Sequence, residues 1–172
     1  MVAIDLRTQI HAPIERCFDL SRSIELHILG TEHTGEQAVA GVTTGLIGPG
    51  QLVRWRARHL GIRQHLASRI TAFERPDHFQ DTMTEGAFRF MQHDHFFKES
   101  GEGITEMRDR FVFAAPLGVL GQAAELLVLK RYMTSFLIRK NAILESVAES
   151  NTWSAFLPPS SGDASSGAGF PS

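Results

Sequence analysis

Between residues 36 and 114 apolar and polar side chains alternate in short runs, each closed by glycine, proline or aspartate. Successive side chains of a strand point to opposite faces, so runs of this kind read as strands with one buried face. In Leu52–Leu60, Val53, Trp55, Ala57 and His59 share one face, with Arg54, Arg56 and Arg58 on the other. Gly61 marks a hairpin or sharp bend. The pattern resumes through Phe73, where Leu66 and Ile70 share a face with Ile62, Gln64 and Ser68. After the Pro76-Asp77 turn, Phe79, Asp81 and Met83 alternate up to Gly86, and a further strand runs from Phe88 to Phe97. Ser100-Gly101-Glu102-Gly103 reads as a hairpin loop. The last run, Thr105–Ala114, turns Met107, Asp109, Phe111 and Phe113 one way and Glu106, Arg108 and Arg110 the other. Pro116 has no N–H for a ladder and suits a helix start, so the sheet ends there.

The two ends differ from this middle. Val2, Ile4 and Leu6 alternate with Ala3, Asp5 and Arg7, as in a strand. Pro13 opens a short helix carrying Ile14, Cys17 and Phe18, and Ser21 or Ser23 caps a second with Ile24, Leu26 and His27. Residues 117–149 read as one long helix, with Leu126, Leu129, Met133, Phe136, Leu137, Lys140, Ile143, Leu144 and Val147 at helical spacing. The order is strand, two short helices, about six strands, long helix. Antiparallel strands with helices segregated to one side form an α+β layer. The expectation is one domain over residues 1–149 and a flexible tail over 150–172. The end of that tail is Pro, Ser, Gly, Ala and Asp with a single Phe170.

Charge narrows the function. Net charge is −2, without the basic excess that nucleic-acid binding usually needs, so no nucleic-acid partner is expected. Cys17 is the only cysteine and cannot form an internal disulfide. The first residues lack a basic segment followed by an apolar one, and no apolar run has the roughly 20 residues of a membrane-spanning helix. A cytoplasmic protein is expected. Twelve Phe against one Tyr and two Trp suit either a thick core or an apolar pocket.

Two polar features stand against this background. His93-Asp94-His95 places two imidazoles on one strand face. A zinc site needs further ligands, which the sheet supplies only if Asp109, Asp81 or His59 lies alongside. With no spaced Cys/His signature, no metal is expected, and the histidines read as pocket-rim or interstrand groups. Asp109 lies between Met107 and Phe111 on the inward face. A carboxylate among aromatics must be paired, hydrogen-bonded or protonated. It reads as a buried partner of histidine or arginine, as a ligand anchor, or as a general acid or base with a raised pKa. Arg54, Arg56, Arg58, Arg63 and Arg69 read as a solvated outer face. Gly45-Leu46-Ile47-Gly48-Pro49-Gly50 has no following Lys-Ser/Thr and is not a phosphate loop.

Several segments, in order, carry a family resemblance: Ala12-Pro13-Ile14-Glu15 with Phe18, Ser23-Ile24-Glu25-Leu26-His27, and Val53 to His59. They continue with Arg75-Pro76 and Phe79, His93-Asp94-His95, and Ala115-Pro116-Leu117-Gly118. Over residues 1–149 the chain resembles the START-like, helix-grip superfamily of polyketide cyclases, lipid-transfer domains and birch-pollen allergens. The resemblance implies a curved antiparallel sheet of about seven strands around a long C-terminal helix, with a ligand cavity between them. Trp55, Phe79, Met83, Phe111, Phe113, Met133 and Phe136 would wall it, with His59 on the same face as Trp55. Asp81, His93, His95 and Asp109 would be its polar anchors, and His27 and Glu36 would sit at its rim. The expected function is binding or transport of a hydrophobic or amphipathic small molecule, without a cofactor, in a monomer or homodimer. The alternative is a cyclase, aromatase or dehydratase acting on a polyketide-like substrate, with His93 or His95 and Asp109 as acid–base groups.

Overall fold

Seven strands form: β1 (Val2–Ile10), β2 (Gln37–Gly41), β3 (Leu52–His59), β4 (Ile62–Glu74), β5 (His78–Glu85), β6 (Phe90–Gly101) and β7 (Ile104–Ala114). They pair antiparallel in the order β1-β7-β6-β5-β4-β3-β2 in the computed structural model, which describes residues 1–59, 61–115 and 122–158. Between β1 and β2 lie α1 (Ile14–Ser21), α2 (Ile24–Gly30) and a 3-10 turn at Glu32–Thr34. Ser23 caps α2 by accepting a hydrogen bond from the Leu26 amide at 3.3 Å. The long helix α3 runs over Gln122–Glu149, with its side chains described from residue 127 onward. The start expected for it, at residues 117–121, lies outside the described residues.

Alternation places the faces as read. Val53, Trp55 and Ala57 are buried, while Arg56 points outward. Gly61 turns β3 into β4 with φ at +80°, a region that side-chain-bearing residues rarely adopt. Besides shifts near the ends of β2 and β6, the strict period fails in β4 and β5. Thr84 of β5 is skipped between the Ala67–Glu85 and Ser68–Met83 pairs, and Thr71 of β4 between Ile70–Asp81 and Ala72–Gln80. An unpaired residue bends a strand and re-aims those after it. Thr71 turns out, its hydroxyl 2.9 Å from that of Thr82. Beyond it Phe73 swings in.

Helix α3 closes the concave side through a seam of Met133, Leu137, Asn141, Leu144, Val147 and Ala148, all buried. It packs on β1, α1 and α2. Two apolar clusters result. In one, Phe18 of α1 takes the edges of Phe73, Phe79 and Phe97 at 5.3, 5.5 and 5.5 Å. The other joins Met91, Phe111 and Phe113 of the sheet to Met133 and Leu137 of the helix.

The chain after Glu149 begins with structure rather than with a loose tail. A 3-10 turn at Asn151–Ala155 places Trp153 under the Arg16 guanidinium, 4.4 Å from the ring centre. Phe156 and Leu157 join Trp153 against the Phe18 cluster. The signal missed in the sequence was these three large apolar residues, which precede the Ser/Gly-rich stretch. Residues 159–172 lie outside the described residues.

One ion network ties the corner helices to the β4–β5 turn. Asp19 accepts from Arg22 at 2.8 Å and from Arg75 at 2.8 Å. Burial pushes its carboxyl up, but hydrogen bonds from Arg75 and Arg22 outweigh that and hold it below its usual value of 3.8. A depressed carboxylate adds stability above the unfolded-state pKa, and this is lost as pH falls through the folded pKa. Asp19→Asn should therefore cost about 1 kcal/mol at pH 7 in denaturant unfolding. The gap from wild type should close as pH falls below about 4. A gap unchanged down to pH 2 would show that the ionised carboxylate does not hold the corner.

Candidate functional site

Strand register builds the site. Across β5, β6 and β7, Asp81 pairs with His93 and His93 with Phe111, and in the next inward row Phe79 pairs with His95 and His95 with Asp109. No register shift interrupts these pairs, so all of these side chains share the concave face. Asp109 is the lowest member, 1% exposed. Its Oδ1 lies 2.8 Å from His93 Nε2 and 2.8 Å from His95 Nδ1. Its Oδ2 accepts from Asn141 Nδ2 of α3 at 2.6 Å. The far edges of both rings turn to Asp81, whose Oδ2 lies 3.5 Å from His95 Nε2 and 3.9 Å from His93 Nδ1. Phe79 stacks on His95 at 4.3 Å, and Phe111 meets His93 edge-on at 5.2 Å.

Charge follows from these partners. Burial pushes the Asp109 carboxyl up, but hydrogen bonds from His93 and His95 outweigh it and hold it well below the usual range. This corrects the raised pKa expected for an acid–base Asp109: a carboxylate between two imidazoles stays ionised. Burial, with the charge of His95, pushes His93 down to about 4. Burial also lowers His95, but its hydrogen bonds to Asp109 and Asp81 prevail and raise it. Burial raises Asp81, and His95 and His93 bring it below its usual value.

Above this floor is a cavity of about 350 Å³ between sheet and helix. Ala57, Leu66, Ile70, Phe79, Phe111 and Leu129 are among its apolar walls, and Asp81, His93 and His95 face it.

No family model and no curated protein matches the sequence. Solved structures do match the fold. A START superfamily protein from Mycobacterium smegmatis superposes with a TM-score of 0.66 at 12% identity, over 86% of this chain and 97% of that one. The Zhui aromatase/cyclase from Streptomyces sp. R1128 gives 0.69 at 12%, over 86% and 93%. The protein TTHA0849 from Thermus thermophilus gives 0.69 at 16%, over 84% and 95%. The chain has the START-like helix-grip fold.

Within this START-like fold the far end of the cavity is also polar. His27 of α2 stacks on Trp55 at 4.1 Å, with Nε2 3.3 Å from Glu36 Oε2. Burial raises Glu36, but the charge of His27 outweighs it and holds the carboxyl below its usual value. Burial, with the charge of Lys140, lowers His27. His59 Nδ1 lies 2.7 Å from the Tyr132 hydroxyl, and Phe136 packs half-buried between His59 and His33 at 5.6 and 5.8 Å. Met133, too, reaches the cavity from α3.

Three residues expected at the helix-grip cavity lie off its wall. Phe113 is fully buried opposite Met91 and packs on Phe88 at 5.4 Å, and those two residues line the cavity in its place. Met83 folds over Gly86, where a Cβ would stand 2.9 Å from its Sδ. Asp109 lies beneath the imidazoles. The outer arginines are engaged locally: Arg54 with Glu85 at 2.8 Å, Arg56 with Gln37 at 2.7 Å and Arg69 with the Gly50 carbonyl at 2.7 Å. No helix among the described residues is long and apolar enough to cross a membrane.

Sequence reasoning missed Asn141 and missed Lys140 as a cavity residue. Asn141 interrupts an otherwise apolar seam between Leu137 and Leu144, and that interruption was the available signal. Lys140 reaches the cavity past Gly30, where a Cβ would come within 3.3 Å of Lys140 Cγ. Among the described residues it has no ion pair.

Asn141→Leu should lower stability by about 1–3 kcal/mol, since Asp109 then keeps a buried oxygen without a donor. Denaturant unfolding measures this. A change below about 0.5 kcal/mol, the scale of surface substitutions, would mean that the 2.6 Å bond does not hold helix to sheet.

Proposed function

We propose that the chain binds a hydrophobic or amphipathic small molecule in the cavity between sheet and helix. The observation that carries this reading is an apolar cavity of about 350 Å³ with convergent polar groups at its floor. Small-molecule sites commonly have this size and this pattern of few polar groups among apolar walls. The apolar walls take up the body of the ligand. Its polar end meets Asp81 and the imidazole edges at the floor, or Glu36 toward the other end, with Lys140 between them. Such groups also keep the cavity from collapsing, because closure would bury them without partners.

A second reading is favoured by the Asp81–His95 edge, which faces the cavity. A carboxylate beside an imidazole supported from below by Asp109 is an arrangement for moving a proton. A neighbour in fold is named as an aromatase/cyclase. On this reading the chain is a cyclase, aromatase or dehydratase with a polyketide-like substrate. His95→Gln would then abolish turnover of a poly-β-ketone while leaving its binding in place.

Titration with 1-anilinonaphthalene-8-sulfonate tests the cavity. Saturable binding near one per chain is expected. Ala57→Phe, which fills the cavity from β3, should weaken it at least about tenfold, roughly 1.4 kcal/mol. Circular dichroism confirms the fold of the variant. No saturable binding, or binding indifferent to Ala57→Phe in a folded variant, would overturn the proposal.

A further inference from the structure

We infer that the cavity floor is a divalent transition-metal site, with Asp81 Oδ2, His93 Nδ1 and His95 Nε2 as its ligands and its open side toward the cavity. The three side chains offer ligand atoms that all lie within 4.8 Å of one another. Two of the separations are 3.5 and 3.9 Å. An ion with bonds of about 2.0–2.2 Å holds neighbouring ligand atoms about 3.0–3.4 Å apart, so both separations from Asp81 close with sub-ångström shifts. Asp81 can supply them. Its side chain is 20% exposed, on the cavity surface, and among the described residues no donor comes closer to it than His95.

The layer beneath is the stronger argument. Asp109 Oδ1 takes the other nitrogen of each ring, 2.8 Å from His93 Nε2 and 2.8 Å from His95 Nδ1. Asn141 fixes its second oxygen. Metal-bound histidines almost always give their remaining N–H to a carboxylate, carbonyl or water, which sets the tautomer and the ring direction. Here one carboxylate does this for two rings, leaving the other nitrogen of each ring directed at Asp81. A single ion placed between them meets both imidazole edges and the carboxylate at once. The charges also balance: the Asp81 and Asp109 carboxylates match a divalent cation. Phe79 stacks on the His95 ring and Phe111 meets His93 at right angles, so apolar rings flank the two imidazoles.

Two nitrogens and one oxygen on one side of an ion suit zinc or ferrous iron with positions left open. Only the cavity side is free. If the cavity takes a ligand as proposed, an anionic oxygen on that ligand completes the coordination, with Lys140 available to pair with it. The sequence expectation of no metal rested on the missing Cys/His spacing. Asp81 joins the His-x-His pair through strand register, which spacing does not reveal.

The test uses the full chain, stripped with chelator, titrated with Co²⁺ by visible absorption and with Zn²⁺ by calorimetry. One ion per chain is expected, with Co²⁺ bands of a nitrogen-containing site that Zn²⁺ abolishes. Asp81→Asn, checked for fold by circular dichroism, should lose the bands. Asp109→Asn should weaken binding about 10–100-fold. His78→Gln, on the outer face, should change nothing. No stoichiometric binding, or binding unaffected by Asp81→Asn, would overturn the inference. The fluorophore titration, run on metal-free protein, is scored separately. Fluorophore binding without metal binding sinks the metal site alone, and the reverse sinks the cavity reading alone.

Discussion

A carboxylate buried at position 109 is the constraint around which the structure is arranged. An ionised group 1% exposed among aromatic side chains is costly unless its oxygens are met. Its three partners come from two elements: His93 and His95 along β6, and Asn141 across from α3. Each partner limits a degree of freedom of the fold. A one-residue slip between β6 and β7 would turn both imidazoles outward and leave Asp109 unpartnered. A rotation of α3 about its axis would withdraw Asn141. Apolar burial is non-directional, whereas the Asp109 hydrogen bonds fix distance and direction.

The cavity follows from the same arrangement. Helix α3 is held at one end by Leu144, Val147 and Ala148 in the Phe18 cluster, and at the other by Met133 and Leu137 against Met91, Phe111 and Phe113. Between these contacts the concave sheet recedes from the helix. Collapse of the gap would press Asp81 and the free imidazole edges against apolar side chains without partners. Phe side chains are used both ways, as core around Phe18 and as wall at Phe79, Phe111 and Phe136.

Much of this was legible in the sequence wherever one residue type in a short period decides the outcome. The alternation of Val53, Trp55 and Ala57 with arginines gave the faces of β3, and Met107, Asp109 and Phe111 gave those of β7. The helical spacing of Met133, Leu137 and Leu144 gave the side of α3 that packs. The strand order needed more, since the family resemblance carried the wrapping of sheet around helix. What escaped depends on contacts between distant segments. Asn141 means little until Asp109 is known to lie opposite. That Asp81 rather than His59 lies beside the histidines depends on the β5–β6 register, which spacing along the chain does not reveal. Met83 and Phe113 shared the correct face yet sit beyond the cavity, because a face is read from period and a cavity from curvature. Trp153, Phe156 and Leu157 were absorbed into the tail by the low-complexity stretch that follows them.

The central claim is that Asp109 holds the two imidazoles from below and turns their other edges to the cavity. Long-range ¹H–¹⁵N correlation spectra of the histidine rings in metal-free protein near neutral pH report which nitrogen carries the proton. The account predicts a proton on Nε2 of His93 and on Nδ1 of His95, with the His93 pattern changed in Asp109→Asn. A proton on Nδ1 of His93 with a bare Nε2 in the wild type would contradict it.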